Sequence, residues 1–209
     1  MAFEPAASGE PTYTDHYPVS IGSQHVELPL IPLRPDFAIA LLMTIDMGVR
    51  FLRTAAGDLA RLLAPHEPEC IVSMATLGIP IAHEVTAAMG LDDYLILQKT
   101  PKIHLADSLR TSVASITTEA TQELMLDRRR IGLVRGRRVA LVDDVISTGG
   151  SISAALRLLD EAGAEVVAIG ALLTEGDGWR QSLGESAALV SGLGAIPVFL
   201  PAEGGWRAA

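Results

Sequence analysis

One cysteine stands in the 209 residues, so the chain can form neither an internal disulfide nor a cysteine-based metal cluster. That residue, Cys70, lies in the apolar run CIVSM, a setting for a buried, inert thiol rather than a nucleophile. Long apolar runs are missing as well. A membrane helix needs roughly 18 of them in succession, and Asp46, Arg50 and Arg53 interrupt the richest stretch. No membrane association is therefore expected. The opening MAFEPAASGEPTYTD has neither a basic nor an apolar signal-peptide region, which makes a cytoplasmic location the expectation. Basic charge is scarce: 16 Lys and Arg against 25 Asp and Glu give a net charge of -9. This balance argues against a nucleic-acid partner, whose affinity would rest on cationic contacts to phosphates, while leaving room for a small basic pocket. No GxxxxGK[ST] occurs, which sets aside a P-loop nucleotidase, and no GxGxxG follows the first strand of a βαβ unit.

What is present is the composition of a globular domain, 49% hydrophobic and 20% charged, long enough for one sizeable core. Six of the 12 prolines precede residue 36, so residues 1–36 read as an extended, turn-rich arm, partly ordered around residues 26–33, and residues 37–209 as the main domain. Helical spacings over 37–64, with Gly48 and Gly57 as breaks, predict two helices. From residue 70 short β-branched runs alternate with amphipathic stretches. Strands are predicted at 70–74, 94–97, 139–142 and 166–173, helices at 79–89 and 152–162, and a weaker strand pair at 111–118 and 123–126. A last short strand falls in AIPVFL. This alternation predicts an α/β fold with a mainly parallel central sheet flanked by helices.

The stretch LVDDVISTGGS joins two features that conflict when taken alone. Asp143 and Asp144 leave an apolar strand together, and adjacent carboxylates at such a place need a cation or a hydroxyl-bearing ligand to offset their burial. Ser147, Thr148, Gly149, Gly150 and Ser151 follow at once and open a helix whose stripe is Ile152, Leu156 and Leu159. Free backbone N–H groups and the positive helix end converge there, an anion site that glycines let a phosphate approach. The plainer alternative is a tight turn with Ser151 as helix cap. A ligand with hydroxyls at one end and a phosphate at the other satisfies both features.

Other candidates are less specific. Lys99 and Lys102 follow a strand end, as solvated charges or as partners for an anion. Thr76, Leu77 and Gly78 form a turn before Pro80 at a helix start. Residues 111–123 are hydroxyl-rich, a hairpin or a closing loop. Trp179, past a strand end, could pack in the core or stack on a base.

VALVDDVISTGGS resembles the 5-phosphoribosyl-1-pyrophosphate (PRPP) signature of the type I phosphoribosyltransferases, and the adenine-type members are similar around the lysine loop. The resemblance covers about residues 70–175. It implies an enzyme that transfers phosphoribose from PRPP to a nucleobase, most simply a purine such as adenine, releasing pyrophosphate with Mg²⁺ as cofactor, and working as a homodimer with the N-terminal arm as a hood. It implies that Asp143 and Asp144 hold the ribose hydroxyls, residues 147–151 wrap the 5-phosphate, Val145 lies under the base, and Lys99, Lys102 and the 76–78 turn face pyrophosphate. No residue is assigned as a direct metal ligand. The chain departs from the family pattern at Gln98, where an Arg is common, at residues 75–79, which lack an Arg, and near Glu119, the shifted counterpart of a loop glutamate. The lysine usual in 6-oxopurine enzymes near residue 175 is also absent, which points to adenine or an unusual base. These departures keep open a second class, a PRPP-sensing regulator without turnover.

Overall fold

The computed structural model describes residues 11–101, 105, 107–113 and 122–209. Its centre is a parallel sheet of β5 (Cys70–Met74), β6 (Tyr94–Leu97), β9 (Arg138–Ile146), β10 (Glu165–Glu175) and β11 (Val190–Gly192), in the order β11-β10-β9-β5-β6, with β12 (Ala195–Ile196) also on β10. All five residues of β5 are buried, as expected of a strand covered on both faces by helices. One face carries α3 (Gly150–Ala162) and the antiparallel hairpin β7 (Ser108–Val113) and β8 (Gln122–Asp127). The other carries α1 (Gly48–Leu63) and α2 (Gly78–Ala88).

Residues 37–64 hold a strand and one helix in place of the two helices expected. β4 (Phe37–Ala40) alternates half-buried and buried residues and pairs with β3 (Gln24–Arg34), so a period of two governs its short FAIA run. Gly57 lies inside α1. Its helix cost of about 1 kcal/mol is outweighed by burial of Phe51, Ala55, Leu59 and Leu63, four residues apart along one stripe.

From Thr12 the extended segment forms paired strands. β1 (Thr12–Tyr13), β2 (His16–Ile21), β3 and β4 combine with the C-terminal β13 (Phe199–Ala202) and β14 (Gly205–Ala208) in one sheet ordered β1-β14-β13-β4-β3-β2, with antiparallel pairing throughout. The prolines of β2 and β3, Pro18, Pro29 and Pro32, fit strands near a sheet margin. This hood shares a single buried cluster with α1, α2 and the near face of the parallel sheet: Ile21, Leu28, Ala38 and Phe199 pack with Leu59, Ile81 and Val142. Among the described residues no helix is long and apolar enough to cross a membrane.

Candidate active site

β9 runs four residues further than the sequence suggested, so Asp143 and Asp144 belong to the strand itself, next to β5 and β10. Asp143 is buried at 7% exposure and Asp144 is half-buried. Burial, and after it the Asp144 carboxylate, raises the Asp143 carboxyl well above the ordinary range, while Lys99 and the Asp144 N–H pull it down. Asp143 in this condition leans toward its protonated form. It can then both donate to and accept from hydroxyl groups.

α3 begins at Gly150, two residues earlier than expected, and Gly149 precedes it with φ at +79°. A side chain at Gly149 would be strained by this backbone and would meet Ser182 Cβ and the Trp179 carbonyl at 3.1 and 3.2 Å. α3 ends at Gly163, also at positive φ, where the sequence placed its stop. Lys99, Asp143 through Ile152 and no other described residues line a cleft of about 160 Å³. A second cleft of about 380 Å³ is lined by Ala75, Thr76, Ile79, Gln98, Lys99 and Thr100. Lys99 belongs to both. The loops after β5, β6 and β9 thus meet around one cation at the carboxyl end of the sheet, the usual ligand side of such folds.

The turn at 76–78 is anchored by Thr44 and packs closely on Ser73 and Asp143. Thr44, fully buried between the hood and α1, donates its hydroxyl to the Leu77 carbonyl at 2.9 Å. Ser73 donates to the Val142 carbonyl at 2.6 Å, tying β5 to β9 beside the carboxylates. Gly78 leaves room for Ser73 Oγ and for Asp143 Oδ1, the latter 3.1 Å from where a Cβ would sit. The Ala75–Thr76 peptide bond is cis.

Trp179 corrects one expectation. It is 3% exposed, its indole N–H donates to the Gly176 carbonyl at 3.0 Å, and Arg180 lies 4.3 Å from the ring centroid. It packs in the α3 core cluster, so no ring face is left to stack on a base. Val145 is half-buried and lines the smaller cleft. Lys102, Ser115, Ile116 and Glu119 lie outside the described residues. A hollow of about 450 Å³ beside β6, lined by Asp92, Asp93, Asp127 and Arg130 among others, is separate from the phosphate-type loop.

Sequence reasoning missed Thr44 and Ser73, and noted Glu175 at its strand end without giving it a role. Glu175, 7% exposed at the end of β10, accepts a hydrogen bond from Ser147 Oγ at 2.5 Å. The signal was available, because a carboxylate closing an apolar strand is the same pattern that singled out Asp143 and Asp144. Thr44 gave no comparable signal, since its partner is 33 residues away.

The model of the phosphoribosyl transferase domain matches residues 48–185, more than half of the chain. The chain belongs to this family. Among curated relatives, the hypoxanthine/guanine phosphoribosyltransferase of Methanococcus voltae is 34% identical over 52% of this chain and 54% of its own. The adenine phosphoribosyltransferase of Rhodospirillum centenum is 29% identical over 64% and 78%. The purine biosynthesis transcriptional repressor PurR of Bacillus subtilis is 29% identical over 68% of this chain and 48% of its own. The chain thus spans about half the length of the first and third of these. The crystal structure of adenine phosphoribosyltransferase from Thermoanaerobacter pseudethanolicus superposes with a TM-score of 0.67 at 20% identity, covering 79% of this chain and 94% of that one, a likeness of fold. The phosphoribosyltransferase fold expected from the sequence, with its parallel sheet and hood, is present.

Proposed function

We infer that the protein transfers phosphoribose from PRPP to a purine base and releases pyrophosphate. The observation that carries this reading is the meeting of two clefts at Lys99, one lined by the acidic pair and the 147–151 loop, the other by the 75–79 turn. Ser147 through Ser151 and the first N–H groups of α3 take the 5-phosphate, and Asp143 and Asp144 take the ribose hydroxyls. Lys99 lies between them, where charge grows on pyrophosphate as its bond to ribose C1 breaks. With Lys102, Thr76, Leu77 and Gly78 it receives the leaving group, and Val145 supports the base. No protein nucleophile is required, and rate enhancement comes from positioning and charge stabilisation. The oxygen-rich pair Asp143 and Asp144 would suit a Mg²⁺ arriving with PRPP, which would supply neutralisation of the charge on the leaving group.

Adenine is the base this reading favours, because no lysine follows the end of β10, where Glu175, Gly176 and Asp177 stand. A second reading, PRPP sensing without turnover, is favoured by the repressor among the relatives and by the absence of Arg at residues 75–79. One assay divides them. Protein, Mg²⁺ and PRPP are incubated with adenine, hypoxanthine, guanine and pyrimidines, and pyrophosphate is measured. Release with adenine alone is expected; release only with hypoxanthine or guanine replaces the base, and PRPP binding without release from any base establishes the sensor.

A further inference from the structure

Ser147 has one hydroxyl hydrogen, and Glu175 takes it. The serine stands in the cleft of the 147–151 loop, while the glutamate lies behind it at the end of β10, almost wholly buried. With Glu175 ionised, Ser147 must donate backwards to Oε2 and can offer the cleft only oxygen lone pairs, which repel a phosphate oxygen. With Glu175 protonated, the bond can reverse: the carboxyl O–H donates to Ser147 Oγ, and the serine hydrogen turns to the cleft. Phosphate binding and the charge of Glu175 are therefore opposed through one shared hydrogen.

We propose that Glu175 takes up a proton from solvent when a phosphate monoester enters the 147–151 loop, reversing its hydrogen bond with Ser147 so that the serine donates to the phosphate. This makes Glu175 a positioning residue that acts through Ser147, and it rests on the phosphate role given to that loop above. Burial already raises the carboxyl, with the Ser147 hydrogen bond opposing, and an arriving anion raises it further by like-charge repulsion. Among the described residues no cation pairs with Glu175. From β9 the titratable groups near this end of the sheet are Asp143 and Asp144, both acidic, with Lys99 across the cleft. From α4 (Gly178–Leu183) and the turn before it, Arg180 is exposed and paired with Asp177 at 3.1 Å. β12 brings only Ala195 and Ile196 against β10. Protonation favours binding, so affinity is highest at low pH and falls as Glu175 ionises in the free protein.

The probe is ribose 5-phosphate, titrated calorimetrically into the whole chain in buffers of different ionisation enthalpy, from about pH 5.5 to about pH 8. The ester's own second ionisation, at about pH 6, contributes equally to every variant, so differences between proteins isolate Glu175. Wild type is expected to take up more protons than Glu175→Gln, whose amide donates to Ser147 at every pH. Relative to that variant, wild-type affinity should fall by up to about tenfold per pH unit once Glu175 is ionised in the free protein. Equal uptake and parallel pH profiles overturn the proposal, as does weaker binding by Glu175→Gln at every pH. If Glu175→Gln does not fold, Ser147→Ala serves, because it leaves the carboxyl no partner to which it can hand a hydrogen; uptake there as large as in wild type overturns the proposal equally. Ribose 5-phosphate binding without extra uptake overturns only the role of Glu175. Absence of binding to wild type overturns the phosphate role of the loop along with it.

Discussion

At the scale of single residues, Gly78 shows how little space the site allows. It opens α2, where a Cβ would overlap Ser73 Oγ and press on Asp143 Oδ1 at 3.1 Å. Ser73 cannot turn away without giving up its bond to the Val142 carbonyl, the link between β5 and β9. The added methyl must therefore shift either the carboxylate or the turn. Gly78→Ala should lower pyrophosphate release by about 10²-fold, since a displacement of about 1 Å at a positioning group costs that much. The thermal midpoint should fall as well, because overpacking this buried position costs about 1–3 kcal/mol, more than the better helix propensity of Ala returns. Rates near wild type would show that Asp143 is not needed at its present position.

At the scale of elements, Asp58 fastens the hood to α1. The Ser23 N–H and Oγ donate to its Oδ2 at 2.7 and 2.8 Å, Arg61 pairs with its Oδ1, and Gly22 turns at a φ of +58° where any side chain would collide with the carboxylate. Burial pushes the Asp58 carboxyl up, but the Ser23 and Arg61 contacts outweigh it and hold it below the ordinary carboxylate range. A carboxylate depressed on folding gives its full stabilisation above its unfolded pKa, about 4, and loses it as pH falls through the lower folded value. Urea midpoints of wild type should thus fall with pH in that acidic window, and those of Asp58→Ala should fall less steeply. At neutral pH the substitution should cost about 1–3 kcal/mol, the penalty for leaving the Ser23 donors without their buried acceptor. An unchanged acid slope would remove Asp58 as a fastening point.

Elements also mark what could be read from sequence. β5, β9, α3 and β10 were legible because each carries its signal locally: an apolar run for the strands, a stripe and a terminal glycine for the helix. The acidic pair and the glycine loop were legible for the same reason, since both lie within one strand-turn-helix segment. AIPVFL marked β12 and the start of β13, but β14 was not legible, because its partner β1 is at the far end of the chain. Trp179 was misjudged on similar grounds. A strand-end aromatic fits both core and rim, and only α3 packed against it decides for the core.

At the scale of the whole molecule, the hood and the parallel sheet are two layers around shared apolar contacts. Phe199 at 0% exposure stands edge-on to Tyr17, with ring centroids 5.0 Å apart, and belongs to the same cluster as Leu59 of α1 and Val142 of β9. A hood that closed on its own core could melt first and leave the sheet standing; one that borrows its core from α1 and the sheet cannot. The two tryptophans test this directly, because Trp206 lies in β14 of the hood and Trp179 in α4 beside the sheet. Trp206→Phe leaves only the sheet reporter, and Trp179→Phe only the hood reporter. In urea, the fluorescence midpoint of each variant should coincide with its own far-ultraviolet circular dichroism midpoint. Adding Phe199→Ala should lower both reporters together, by about 3–5 kcal/mol as for other buried aromatic truncations. A Trp206 signal that departs early while the circular dichroism and Trp179 persist would show instead that the hood unfolds independently of the layer that carries the site.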